Sequence, residues 1–203
     1  MSSLLPRSFY SRYSVTVAKE LIGKTLLRIT NSGSRLEGII VEVEAYGGSG
    51  DPASHAFHGK TKRNEVMFGE PGHAYVYFTY GAHHCLNFVT SPGRTKASAV
   101  LIRAVQPVSG IEEMAKRRIT TVITQLASGP GKLCQALGID LSANGIDLTI
   151  PDSPIQVLGN NIEPLKVGRS SRIGITRATE KLWRFYAKDS PFVSWRNVHK
   201  RES

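Results

Sequence analysis

Apolar and polar positions alternate along much of the first half of the chain, a period that places successive side chains on opposite faces of a β-strand. The clearest case is "RLEGIIVEVEAY", in which Ile39, Val41, Val43 and Ala45 are expected to share a core face. Ile40, Glu42, Glu44 and Tyr46 then fall on the other face. "KTLLRIT" precedes this strand, joined to it by the turn signal "NSGS". "HAYVYFTY" and "CLNFVT" flank Gly81, "SPGR" turns the chain, and "ASAVLIRAV" is another strand. Residues 14–22, "SVTVAKELI", read as a helix with Ser14 as N-cap and Gly23 as stop. "SGIEEMAKRR" has acids first and bases last, matching the helix dipole. "SGPGKLCQALG" opens a helix near Pro130 and closes it at Gly138. Gly47 to Asn64 reads as a loop, and the chain after Asn144-Gly145 as extended and turn-rich. With no linker, repeat or low-complexity stretch, the expectation is one mixed domain over residues 1–203.

Charge narrows the function. The 203 residues carry 26 Lys plus Arg against 16 Asp plus Glu, a formal charge of +10. Such a surplus on one domain points to a polyanionic partner, nucleic acid before membrane. Cys85 and Cys134 are too few for a disulfide framework and form no CxxC pattern, which favours a reducing compartment. The N-terminal stretch lacks the apolar core of a secretory signal. The uncharged run Pro71 to Gly93 is interrupted by polar residues, so a soluble protein is expected, with no membrane partner.

Candidate chemistry starts with Glu42, Glu44 and Tyr46. An exposed antiparallel face is often polar, which is the ordinary explanation. Glu44, however, lies just before a glycine-rich loop, where rigid element meets loop and active-site groups gather. A carboxylate there activates water and opposes developing positive charge. His55, His58, His83 and His84 match no metal-binding spacing, and no metal or other cofactor is expected. Tyr75 and Tyr77 share a face; Tyr80 has the opposite parity and sits at a glycine-marked turn, placed to stack on a base or wedge into a duplex. Basic residues cluster in 59–64, 116–118 and 168–184, each either a solvated face or a set of phosphate contacts. "SGPGKLCQ" is not a phosphate-binding loop, since Leu133 stands where a Ser or Thr must reach magnesium.

In order along the chain, "VEVEAY", "SHAF", "KRNEVMF", "PGHAYVYFTYG", "CLNFVT", "LIRAVQP", "SGPGKLCQAL" and "RFYAKDSPFVS" resemble the alkyladenine (3-methyladenine) DNA glycosylases over about residues 8–195. The resemblance implies an α+β fold, a compact domain with a curved, mainly antiparallel β-sheet flanked by helices. It implies a monomeric, monofunctional enzyme acting on double-stranded DNA containing damaged purines. By motif, Glu44 corresponds to the residue that activates water, with Arg103 beside it. Tyr46, His55, Tyr77, Asn87 and Leu101 correspond to the base pocket. Tyr80 corresponds to the residue inserted into the duplex. Lys62 stands where relatives often carry proline, and His83 and His84 replace bulkier apolar or aromatic residues, so lesion choice is where a difference is expected. A DNA-associated protein of a bacterial cytoplasm is the expected setting. Two competing readings remain at this level: a nucleic-acid-binding module without catalysis, and a metal hydrolase built on the histidines.

Overall fold

The computed structural model describes residues 3–91, 97–159 and 163–194. Its framework is an α+β fold on one curved antiparallel sheet. In chain order the elements are α1 (Arg7–Tyr10), α2 (Ser14–Leu21), β1 (Thr25–Ile29), β2 (Arg35–Tyr46), β3 (Ala74–Thr79), β4 (His83–Thr90) and β5 (Ser98–Ser109). Then follow α3 (Ile111–Arg118), α4 (Pro130–Leu137), β6 (Ile155–Leu158), β7 (Val167–Ser170) and β8 (Arg184–Ala187). The main path runs β3-β4-β5-β2-β1-β6, while β8 pairs with both β2 and β7. Long central β2 therefore meets β1 along its first half and β8 along its second, with β5 opposite.

The alternation expected for β2 breaks in the middle. Ile40 pairs with Val105 and Glu42 with Ala104, so Val41 is an extra residue on β2. Such a bulge advances the chain by one position and exchanges its faces. Leu36 and Ile40 reach the core before it, and Val41, Val43 and Ala45 after it. Ile39, expected in the core, is only half-buried, and Ile40, expected beside the acids, is fully buried. The adjacent Ile40-Val41 pair is the trace this leaves in the sequence. A second shift skips Arg103 on β5, which sits between Ala104, paired with Glu42, and Ile102, paired with Val43.

Burial of α1, α2 and α4 against one face of the sheet makes the main core, which includes Tyr10, Leu21, Val43, Phe88, Ile102 and Leu133. Ser14 is the first helical residue of α2 rather than its cap, which is Tyr13. Pro130 opens α4 and left-handed Gly138 closes it, as expected from residues that lack an N–H to lose or a Cβ to clash. The 12-residue β5 runs on to Ser109, so the following helix starts at Ile111. The turn expected at "SPGR" lies outside the described residues after Ser91. No helix among the described residues is long and apolar enough to cross a membrane.

Candidate active site

The second face of the sheet carries a cavity of about 260 Å³, between β3, β4, β5, the end of β2 and the loops at 47–64 and 171–183. Tyr46, His55, Tyr77, Asn87, Leu101 and Arg103 all line it, and Tyr80 stands at its edge. Register explains part of this convergence. Leu101 faces Glu44 across one strand boundary and Asn87 across the other. The cavity also takes in Tyr75, Cys85 and the Ile173–Ile175 segment, which sequence reasoning did not single out for it.

Glu44 is fully buried behind the cavity wall. Its Oε2 accepts from the Tyr46 hydroxyl at 2.9 Å and lies 3.3 Å from Arg103 Nη1, and its Oε1 accepts from the Ile173 amide at 2.7 Å. Burial, and after it the Glu44 carboxylate, push the Tyr46 phenol well above its ordinary value, so it stays a donor. Burial works against the Arg103 charge, but Glu44 and Glu42 outweigh it and raise the guanidinium further.

Two aromatic walls follow. Arg172 lies 4.7 Å from the Tyr46 ring centre, and Arg63 lies 5.2 Å from that of Tyr77. The His55 ring meets Tyr77 edge-on at 4.6 Å, with its Nδ1 2.9 Å from the Tyr75 hydroxyl. Part of this ring is open to the cavity, but its packed side is desolvated. That burial, helped by the Arg63 charge, pulls the imidazole below its usual value and favours the neutral form. Asn87 Nδ2 donates to the Tyr75 carbonyl at 3.0 Å, which fixes the amide on the cavity floor.

Tyr80 and Gly81 are both left-handed, at φ 51° and 65°, and the Ala82 amide donates to Thr79 O at 3.2 Å. Thr79 pairs with His83, so three residues, Tyr80 to Ala82, close the hairpin. A tyrosine in this conformation costs on the order of 1 kcal/mol, and the geometry leaves its side chain 90% exposed at the tip of β3-β4.

The loops are fastened by residues that sequence reasoning missed. Asp51 accepts both nitrogens of a bidentate, buried pair with Arg172, at 2.6 and 2.8 Å, and the Gly47 amide at 2.9 Å. Asn64 Nδ2 donates to the His55 carbonyl at 2.7 Å. Ties between residues 121 apart, such as Asp51 and Arg172, leave no local signal.

The basic clusters need correction. Within 168–184, Arg172 and Arg184 point inward and are buried on Asp51 and Glu42 rather than offered to phosphates. Within 116–118, Arg117 pairs with Glu113, while Arg118 donates to Gln135 and to the Leu126 carbonyl. Lys60, Lys62 and Arg63, beside the cavity, remain exposed. His84 packs on Phe78 at 5.0 Å, and His83 lies against Gly131 at the start of α4. No group of three or more His, Cys, Asp or Glu gathers among the described residues as a metal site.

The methylpurine-DNA glycosylase family model matches residues 8–191. A relative from Carboxydothermus hydrogenoformans is 50% identical, covering 94% of this chain and 98% of its own. One from Chlorobium luteolum is 48% identical, covering 94% and 96%. One from Methanoculleus marisnigri is 48% identical, covering 95% and 99%. All three carry the provisional name 3-methyladenine DNA glycosylase.

Proposed function

We propose, for a chain that belongs to the methylpurine-DNA glycosylase family, that it rotates alkylated or deaminated purines out of double-stranded DNA and hydrolyses their N-glycosidic bond. Membership and the relatives' shared name support a 3-methyladenine DNA glycosylase role in base-excision repair. The observation that carries the finer reading is a fully buried carboxylate directly behind an aromatic cavity on a +10 chain. An ionised carboxylate has four acceptor positions. Among the described residues three neighbours occupy Glu44, two at Oε2 and one at Oε1, which leaves a position on Oε1 for water.

The chemistry follows from that position. As the base departs with the bond electrons, positive charge grows on the deoxyribose, and the Glu44 charge opposes it. Water oxygen bonds to the sugar carbon and its proton passes to Glu44. Arg103 orients the carboxylate and the water. An N3- or N7-methylated purine is already cationic and leaves neutral. Hypoxanthine or ethenoadenine needs hydrogen bonds to the departing base, which neutral His55 and nearby backbone groups supply. Asn87 crowds a guanine 2-amino group, and Leu101 fills the floor beside it.

Extrusion costs about 2–4 kcal/mol. Stacking on Tyr46 and Tyr77 returns about 1–3 kcal/mol per base, and Tyr80 fills the gap left in the duplex. Water is the nucleophile, so the product is an abasic site without strand cleavage. The direct test is release of free 3-methyladenine, 7-methylguanine and hypoxanthine from modified duplexes under single-turnover conditions. Release with an intact abasic strand is expected. Tight lesion binding with no release shows a binding module instead, and a borohydride-trapped adduct shows a lysine mechanism.

Tyr80→Ser gives a second measurement. Removing the wedge is expected to weaken ethenoadenine extrusion about tenfold, read from the fluorescence of the lesion itself. Affinity for undamaged duplex stays within about twofold, because phosphate contacts rather than the tip supply it. Loss of all duplex affinity in this variant contradicts the wedge role.

A further inference from the structure

Glu42 is fully buried and does not line the cavity, yet it accepts four hydrogen bonds beside it. Its Oε1 accepts from Arg103 Nε at 2.9 Å, Arg184 Nε at 2.7 Å and the Ser194 hydroxyl at 2.8 Å. Its Oε2 accepts from the Ser194 amide at 2.5 Å. Three of these four donors crowd onto one oxygen, and two of them are guanidinium nitrogens, so this acid is tied to an arginine on either side. Glu44 meets one guanidinium at the longer distance of 3.3 Å and accepts hydrogen bonds from Tyr46 and Ile173.

The two acids compete for one guanidinium. Arg103 lies 2.9 Å from Glu42 but 3.3 Å from Glu44. A guanidinium beside a single carboxylate tends to close into a fork with two short contacts, which engages both oxygens and makes the acid a poorer base. Glu42 holds the Nε side of Arg103 and so stops that closure. The register shift at Arg103 is what brings this side chain between the two acids. Arg184 keeps the group neutral as a whole, with two acids and two bases.

We propose that Glu42 is a positioning residue for base release: it holds Arg103 back from Glu44, so that the Glu44 carboxylate stays available to water. This rests on the roles given to Glu44 and Arg103 above. It places the effect in the rate of bond cleavage and not in lesion recognition, because Glu42 does not line the base cavity.

The test measures single-turnover base release and lesion-duplex Kd for the wild type and three variants. Glu42→Gln removes the charge. Glu42→Gln with Arg184→Gln removes one charge of each sign and protects folding. Ser194→Ala takes away the hydroxyl that donates to Glu42 and accepts from Arg103 Nη2 at 3.4 Å, so it loosens the same clamp without removing a charge. The first two are expected to lose about 10- to 100-fold in rate, and the third about 3- to 10-fold, with Kd within about threefold of wild type. A folded double variant or Ser194→Ala with wild-type rate overturns the inference, as does a Kd that weakens in step with the rate. Wild-type protein that releases no base overturns the reading of the site, and this inference with it.

Discussion

Glu44→Gln is expected to cut base release by about 10²- to 10⁴-fold while lesion-duplex affinity stays within a few-fold of wild type. Glutamine has the same shape, so the Ile173 amide keeps its 2.7 Å acceptor. The second oxygen becomes an NH₂ group facing two donors, the Tyr46 hydroxyl and Arg103 Nη1. Tyr46 turns its hydroxyl to accept, and Arg103 withdraws toward Glu42, 2.9 Å away. The cavity walls are untouched, so the extruded base still stacks. What disappears is the negative charge that opposes the sugar cation and takes the water proton. Single-turnover release of free base, paired with equilibrium binding to the same duplex, separates the two effects. A variant that turns over normally removes Glu44 from the mechanism; one that loses rate and binding together makes it a folding residue.

Much of this site was legible in the chain because its parts lie on regular elements. Period-two patterning located the strand that carries Glu44 and Tyr46, the strand that carries Tyr75 and Tyr77, and the glycine turn that presents Tyr80. The α+β class and the curved antiparallel sheet were expected too, as was the family. The face assignment along β2 failed at Ile39 and Ile40, because an inserted residue exchanges the two faces and simple alternation assumes none. Basic residues misled for a related reason: composition counts charge but not direction. Arg172 and Arg184 sit in a basic-looking segment, yet both neutralise buried acids. Their partners lie 121 and 142 residues away, so only the folded sheet brings them together.

That internal use of charge sets up the largest stability effect. Asp51→Ala is expected to destabilise the protein by about 3–5 kcal/mol, because it leaves Arg172 buried without its partner. For a chain of this size the loss is on the order of 10 °C in Tm. Burial by itself raises the Asp51 carboxyl, but hydrogen bonds from Arg172 and from the Gly47 amide, with the Arg172 charge, outweigh it and hold the group below its usual value. A folded-state value below the unfolded one means that the stabilisation is complete above the unfolded value, about pH 4, and is lost as pH falls through the depressed one. Wild-type Tm should therefore drop below about pH 4, and the variant should drop less steeply, by the slope of one fewer proton taken up on unfolding. Glu42 and Asp147 are also held low, so some acid sensitivity persists in the variant. Thermal denaturation of both proteins from neutral pH down to about pH 3 measures the difference. Parallel curves would show that Asp51 does not carry this charge. Activity should fall further than stability alone dictates, measured well below the variant's own Tm. Arg172 braces the Tyr46 ring from behind and donates to the Ala45 carbonyl, so its release loosens the wall on which the base stacks.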